Sequence, residues 1–127
     1  MISSKHKFVF LHIPKTGGNS IQDALRKHTD DDLVILSPHQ DGVERFEIRN
    51  PSHKKLKKHS NLQKYYRALG GKLEDYYIFT TIRNPYDKLV SFYFSPHRGN
   101  IEWNYDEFSK FARGVSSLEQ YLSLIHI

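Results

Sequence analysis

The sequence contains no cysteine among its 127 residues. The chain therefore has no disulfide framework, no thiolate metal site and no cysteine nucleophile, and its composition leaves the compartment open. It also lacks a long hydrophobic run. The apolar stretch after the basic start is only about six residues, too short for a signal sequence or a membrane span. Internal repeats, low-complexity tracts and domain linkers are absent as well, so we expect one modest domain.

Positive charge is in excess. The chain has 19 lysines and arginines against 14 aspartates and glutamates, a formal net charge of +5. Such a balance suits an anionic partner, such as a nucleotide, a sulfated or carboxylated sugar, or nucleic acid. An ordinary basic protein without such a partner is the alternative.

Residues 8–20 are the most informative stretch. Apolar residues at 8–11 and 13 predict a strand buried on both faces, and Pro14 ends it. The next four residues, Lys15, Thr16, Gly17 and Gly18, form a polar loop. Helical spacing of apolar residues begins at Ile21. A strand, a glycine loop and a helix in this order present backbone N–H groups and a positive helix end to an anion.

The order of residues in this loop differs from the ATP-binding P-loop. That motif places a glycine about five residues ahead of Gly-Lys-Ser/Thr, whereas Lys15 here precedes both glycines. A lysine and a run of backbone donors at a helix start would nevertheless perform the same physical task.

Several further elements are predicted downstream. Residues 33–36 read as a short strand and residues 43–48 as strand or loop. Apolar spacing over residues 61–69 predicts a helix, with Ser60 as its N-cap and Gly70 and Gly71 at its end.

A second strand–helix unit follows. Residues 75–82 are rich in aromatic and β-branched side chains and predict a strand. Asn84 suits an N-cap and Pro85 the first position of the next helix, and a last helix is expected from Tyr105 to just before Gly114. Strands that alternate with helices favour a layered α/β fold with a mostly parallel central sheet.

Two cations follow the two clearest strands, although they are 68 residues apart in sequence. Lys15 follows the first strand and Arg83 the second. In a parallel sheet, ligands bind beyond the carboxyl ends of the strands, so we expect both residues at one edge. A lysine offers a compact charge and an arginine a planar fork for two oxygens. The pair predicts a ligand with two separated anionic groups.

Two motifs resemble a known family. FLHIPKTGGNS at residues 10–20 and TTIRNPYDKLVSFYF at residues 80–94 are similar to the nucleotide-binding signatures of sulfotransferases that use 3′-phosphoadenosine 5′-phosphosulfate. The likeness is greatest to the carbohydrate branch, which includes heparan and chondroitin sulfotransferases and bacterial relatives. It covers roughly residues 7–94, and the pair of motifs in this order is specific.

The resemblance implies a P-loop-like, three-layer α/β fold and a set of site residues. The 5′-phosphosulfate would be held by Lys15, Thr16, Gly17, Gly18, Asn19 and Ser20. Arg83 and Ser91 would hold the 3′-phosphate. The sulfuryl group would pass to a hydroxyl of a carbohydrate or other acceptor, neutral or anionic, with Lys15 stabilising the leaving phosphate. No metal site, nucleic-acid partner or membrane segment is expected, and a bacterial chain of this type would be cytoplasmic.

A general base is needed to take the proton of the acceptor hydroxyl. We assign His59, because it precedes the predicted helix at 61–69 and a histidine lies at a matching distance before the Arg-Asn/Asp-Pro signature in the similar 2-O-sulfotransferases. A neutral imidazole suits general-base work near pH 7. His12 is interpreted as a packed residue and His39, on a turn, as a weaker rival; a solvated His59 is the alternative.

Other residues have two interpretations each. The basic run before the predicted helix is either a solvated face or a contact surface for a polyanion; it consists of Lys54, Lys55, Lys57 and Lys58. No base-reading module accompanies this run, which argues against a nucleic acid as the polyanion. Trp103 and Tyr105 are expected in the core, with stacking on a sugar ring as the alternative.

Two other classes of protein stay open. A phosphoryl-transfer enzyme would need an acidic magnesium ligand at a strand end, but Asp75 precedes its strand and Asp87 lies within a helix. A non-catalytic anion-binding module would keep Lys15 and Arg83 without transferring a group.

The last six residues, LSLIHI, resemble the translation of an adapter used in sequencing libraries. We therefore predict that residues 1–121 are the N-terminal part of a single sulfotransferase domain and that residues 122–127 are an artefact; an ordinary helix tail is the alternative. Because the domain of the similar family is longer, we expect a fold truncated at its C-terminus, which could leave the chain inactive.

Overall fold

The computed structural model describes residues 1–37, 45–95, 98–99 and 101–115, which form a mixed sheet, a ribbon and four α-helices. The strands, in chain order, are β1 (Ile2–Ser3), β2 (Phe8–Leu11), β3 (Asp32–Ser37), β4 (Arg45–Arg49) and β5 (Tyr77–Thr80). The helices are α1 (Gly18–Leu25), α2 (Leu62–Ala68), α3 (Pro85–Tyr93) and α4 (Tyr105–Gly114). Short 3₁₀ helices cover Arg26–His28 and Leu73–Asp75. The predicted α/β class is confirmed.

The sheet places β2 between two different neighbours. β5 runs parallel to β2, with Phe8 opposite Tyr77 and Leu11 opposite Thr80. β1 is antiparallel to β2, and β3 and β4 form a separate antiparallel ribbon. The sheet in the described residues is therefore mixed, where we predicted a mostly parallel one. A two-residue strand such as β1 is too short to have a readable period.

Side chains of β2 alternate between two parts of the core. Val9 and Leu11 belong to a cluster that includes Leu62 and Tyr65 of α2. Phe10 belongs to a second cluster with Phe46 and Ile48 of β4, against which residues of α1 also pack. Elements thus cover both faces of the sheet. The prediction that β2 is buried on both faces is confirmed, and this burial holds the loop after β2 in place.

The helix boundaries agree with the predictions to within one residue, except that α4 includes Gly114, before which it was expected to end, and that the N-cap of α2 differs. Gly70 and Gly71 end α2 with φ angles of 59° and 84°, a conformation that favours glycine. The N-cap of α2 is Asn61, whose side chain accepts a hydrogen bond from the backbone N–H of Lys64. The predicted N-cap, Ser60, was wrong: its hydroxyl instead accepts a hydrogen bond from the N–H of Lys57, which closes the turn before the helix.

Trp103 and Tyr105 are exposed rather than part of the core, with 56% and 72% of their surface accessible. Tyr93 is instead the fully buried residue at the centre of the neighbouring aromatic cluster, which also includes Phe94, Phe108 and Phe111. Trp103 packs edge-on against Tyr93 and stacks on Phe94, with ring centroids 5.9 and 6.3 Å apart. One side of the indole therefore covers the cluster while the other faces solvent.

Several predictions have no structural test, among them the roles of the site residues and the partners. His39 and the segment 122–127 lie outside the described residues, and the domain assignment stays a prediction. No helix in the described part of the chain is long and apolar enough to cross a membrane.

Candidate active site

A cavity of about 660 Å³ lies where the chain leaves β2 and β5. Eight of the nine predicted site residues line it: Lys15, Gly17, Gly18, Asn19, Ser20, His59, Arg83 and Ser91. Parallel pairing of β2 with β5 explains this convergence, since the carboxyl ends of both strands point to the same side of the sheet. The structure therefore brings Lys15 and Arg83 to one site.

Thr16, the ninth predicted residue, has a structural contact instead. Its side chain is buried, and its hydroxyl donates to the carbonyl of Ile13 at 2.7 Å. The hydroxyl oxygen of Thr81 lies 2.9 Å from the hydroxyl oxygen of Thr16. Because Thr16 has already used its one hydroxyl proton, Thr81 is the donor in the second hydrogen bond. Thr16 thus joins the loop after β2 to the segment after β5.

The loop after β2 leaves the start of α1 open. Gly17 is the N-cap, with φ at 82°, and it forms no side-chain hydrogen bond to the helix. The first turn of α1 also contains no acidic residue. Lys15 has φ at 64°, which is uncommon for a residue with a side chain. Uncapped N–H groups and the positive end of the helix dipole can therefore bind an anion.

Gly18 allows the helix to approach His12 closely. A Cβ atom added at Gly18 would lie 2.1 Å from Cδ2 of His12, well inside van der Waals contact. One turn further along α1, the Oε1 atom of Gln22 is 2.9 Å from Nδ1 of His12. The buried imidazole is therefore held by two residues on the same face of α1.

His59 is held in a form that can accept a proton. Its Nδ1 atom lies 3.0 Å from the backbone carbonyl oxygen of His12. Because a carbonyl only accepts, Nδ1 must donate, and the neutral ring then has its lone pair on Nε2. The two imidazole rings pack with centroids 4.5 Å apart.

The two histidines differ in pKa because their surroundings differ. The pKa of His12 is lowered to about 3, chiefly by burial and to a lesser extent by His59 and the charge of Lys58. Partial burial also lowers the pKa of His59 below its usual 6.5; the hydrogen bond from its ring to the His12 carbonyl opposes this, and the charge of Lys58 adds to it. Both rings are neutral at pH 7, and His59, which keeps exposed surface, is the stronger base of the two.

The cavity wall is cationic. Four of its residues have positive side chains, and none of the described lining residues is a carboxylate: the cations are Lys15, Lys58, Arg83 and Arg98. Arg98 donates to the carbonyl of Tyr93 at 2.9 Å and lies over the rings of Tyr93 and Phe111. Within the described ranges, no group of three or more histidine and carboxylate side chains could hold a metal ion.

The sequence reasoning missed Arg98 as a site residue and did not separate Lys58 from its neighbours. Arg98 follows α3 in a segment without apolar periodicity, so no sequence signal indicated it. Lys58 belongs to the basic run before α2, and the lysines of this run line two different cavities. Lys54 and Lys55 line a second cavity, of about 770 Å³, beside Lys64 and Arg67 of α2. Lys58 lines the first cavity, next to His59.

These features describe an α/β protein with a cationic cavity beyond the carboxyl ends of two parallel strands. A model of the sulfotransferase family matches residues 1–120. The chain belongs to the sulfotransferase family. Comparisons with curated proteins and with solved structures gave no significant match.

Proposed function

We propose that this protein transfers a sulfuryl group from 3′-phosphoadenosine 5′-phosphosulfate to a hydroxyl of a carbohydrate acceptor. One observation carries the proposal: Lys15 and Arg83, far apart in sequence, line one cavity that is cationic and has no carboxylate among its described lining residues. Family membership supports sulfuryl transfer in general. It also suggests a P-loop-like fold, of which the described sheet would be a part.

The residues of the cavity suit the proposed donor. Its 5′-phosphosulfate would bind at the loop after β2, where Lys15 supplies charge and the start of α1 supplies backbone donors. Its 3′-phosphate would bind Arg83 and Ser91, which lie before and within α3. The described lining residues include no carboxylate, which suits this donor because a carboxylate would repel its anionic groups.

The transfer itself needs one proton acceptor and a stabilised leaving group. The acceptor oxygen bonds to sulfur while the bond from sulfur to the oxygen of the 5′-phosphate breaks. The hydroxyl proton passes to Nε2 of His59. This nitrogen has the lone pair of the ring, because Nδ1 has the proton and donates it in the hydrogen bond to the His12 carbonyl. Negative charge that develops on the departing phosphate is stabilised by Lys15 and by the N–H groups of the loop.

A phosphoryl-transfer enzyme is the competing class. Such an enzyme places a carboxylate beside the phosphates to hold magnesium. Asp87 lies in the first turn of α3 but does not line the cavity, and Asp75 lies in the 3₁₀ helix ahead of β5. Because no carboxylate lines the described part of the cavity, its residues favour sulfuryl transfer over magnesium-dependent phosphoryl transfer.

Calorimetric titration tests the choice of nucleotide. We expect the chain to bind 3′-phosphoadenosine 5′-phosphate in preference to ATP with magnesium, and a preference for ATP would contradict the proposal.

In a transfer assay, His59→Ala should abolish turnover and leave nucleotide affinity unchanged. A non-catalytic module would bind the nucleotide without transferring sulfate, and normal turnover by the variant would remove His59 from its role.

A further inference from the structure

The second cavity, of about 770 Å³, is lined by residues of the segment before α2 and of α2 itself. Four of these residues are cationic: Lys54 and Lys55 lie on the segment, and Lys64 and Arg67 lie on α2. No described residue lines both this cavity and the candidate active site. The proposed function gives the second cavity no role.

The cations of the second cavity have no neutralising partner in the described part of the chain. None of its described lining residues is a carboxylate. The ion pairs between described residues, Asp23–Arg26 and Glu47–Arg49, lie elsewhere. Positive charges that two segments bring together repel one another, and a bound anion offsets this repulsion. The second cavity is therefore suited to an anion, and it is built from different residues than the first.

The turn that carries the two lysines of the segment is anchored before and after them. Before them, the side-chain oxygen of the buried Asn50 accepts from the N–H of His53 at 2.7 Å, and its Nδ2 donates to Asp31 at 2.8 Å. After them, Leu56 is buried in the core that also contains residues of α2. Because the backbone of the turn is fixed, an anion that binds there loses less free energy to ordering of the protein.

A short piece of chain joins the second cavity to the candidate active site. Lys55 lies four residues before His59, so their Cα atoms are at most about 15 Å apart. A chain of a few sugar units spans such a distance. Resting on the proposed function, we propose that the second cavity binds an anionic part of the acceptor, a carboxylated or sulfated polysaccharide, while a hydroxyl of the same chain faces His59.

The lining of the second cavity favours a polysaccharide over a nucleic acid. Proteins that bind single-stranded nucleic acids stack the bases on aromatic side chains. The described lining residues include no phenylalanine, tyrosine or tryptophan. Carboxylate and sulfate groups need only the ammonium and guanidinium groups that this cavity offers.

The test compares the double variant Lys54→Gln/Lys64→Gln with the matched control Lys57→Gln/Lys72→Gln, which removes the same charge from exposed positions that line neither cavity. Binding of dextran sulfate is measured by calorimetry at about 0.15 M salt, where distant charges are screened. We expect Lys54→Gln/Lys64→Gln to weaken this binding about three- to tenfold, because two exposed ionic contacts are lost. The control should weaken it by less than about twofold, and uncharged dextran should not bind.

Other polymers identify the anionic group and exclude the competing partner. Polygalacturonate carries carboxylates in place of sulfates, so binding of one polymer or of both through the same lysines supports the proposal and names the group. Equal losses in the two double variants, or no loss in either, would overturn the second site. Polyuridylic acid that bound through these lysines at least as tightly as the polysaccharides would overturn the assignment to a polysaccharide.

The polymer titrations contain no nucleotide, so their failure would leave the proposed function unaffected. When 3′-phosphoadenosine 5′-phosphate saturates the first cavity, the affinity for dextran sulfate should stay within about threefold, since the two sites are separate. Displacement of the polymer by the nucleotide would place it in the first cavity and overturn the second site. If the unchanged chain does not bind the nucleotide, the proposed function fails and the acceptor role of the second cavity fails with it.

Discussion

The chain contains two units in which a strand, a connecting segment and a helix follow one another. The first unit consists of β2, its loop and α1, and the second of β5, the segment after it and α3. The helices of the two units begin differently. α1 begins at Gly17, which supplies no capping side chain. α3 begins at Asn84, whose side chain accepts from the N–H of Tyr86, and has Asp87 in its first turn. In the proposed function, the first unit would therefore bind an anion with its uncapped backbone N–H groups, whereas the second would use the side chains of Arg83 and Ser91.

The two units also differ in how firmly they are held. In the first, Gly18 and Gln22 enclose the ring of His12, and Thr16 is buried. In the second, Ile82 has 86% of its surface exposed, and Arg83 is exposed as well. Changes at the buried contacts of the first unit should therefore alter folding and binding together, whereas changes at the exposed Arg83 should alter binding alone.

Gly18→Ala should give the largest effect. Its Cβ would overlap the His12 ring, and we expect a loss of about 3 kcal/mol in the free energy of unfolding together with loss of nucleotide binding. Urea unfolding and calorimetry measure the two. Gly17→Ala is the control: it meets no atom within 4 Å, so only its left-handed backbone opposes it, at about 1–2 kcal/mol. Equal effects of the two substitutions would contradict the steric account.

Arg83→Ala should weaken binding of 3′-phosphoadenosine 5′-phosphate by about 10- to 100-fold, because a charged hydrogen-bond partner contributes about 1.5–3 kcal/mol. The free energy of unfolding should change by less than about 0.5 kcal/mol, since the side chain is exposed. Arg83→Lys should recover only part of the affinity, as it restores the charge without the planar fork. A loss of stability that matched the loss of affinity would remove the difference between the two units.

Acid should destabilise the first unit through His12. In the unfolded chain this ring takes up a proton near its usual pKa of 6.5, whereas in the folded chain it does so only near pH 3. Between these values the unfolded state binds more protons, so stability is lost as the pH falls, by up to about 1.4 kcal/mol per pH unit. We expect urea unfolding of His12→Asn to show a flatter dependence on pH. Measurements at pH 7.5 give the cost of the substitution itself, and an unchanged slope would refute the assignment.

Asn84→Ala should have the smallest effect. Loss of the cap of α3 should lower the free energy of unfolding by about 1 kcal/mol, while nucleotide affinity stays within about twofold. Asn104→Ala, which removes the corresponding cap of α4, should cost a similar amount. A large loss of nucleotide binding in Asn84→Ala alone would show that the cap of α3 serves the ligand, contrary to the comparison.

Most of the elements were predictable because their signals are local. The apolar run of β2, the glycine loop, the glycines that end α2 and the Asn84–Pro85 start of α3 each depend on neighbouring residues. The meeting of Lys15 and Arg83 was also predictable, because parallel strands align their carboxyl ends. The antiparallel β1 and the N-cap of α2 were missed: the first is too short to show a period, and Ser60 and Asn61 are both good caps.

The sequence by itself determined two strand–loop–helix units and the cations that follow their strands. Local propensity and the covalent order of residues are sufficient for that. Only the tertiary structure decided that Lys58 joins the cavity while Lys54 and Lys55 line another, that His12 provides the carbonyl which orients His59, and that Trp103 covers the surface of an aromatic cluster. Each of these depends on contacts between segments distant in sequence or on the direction of a side chain within a loop, which no local pattern encodes.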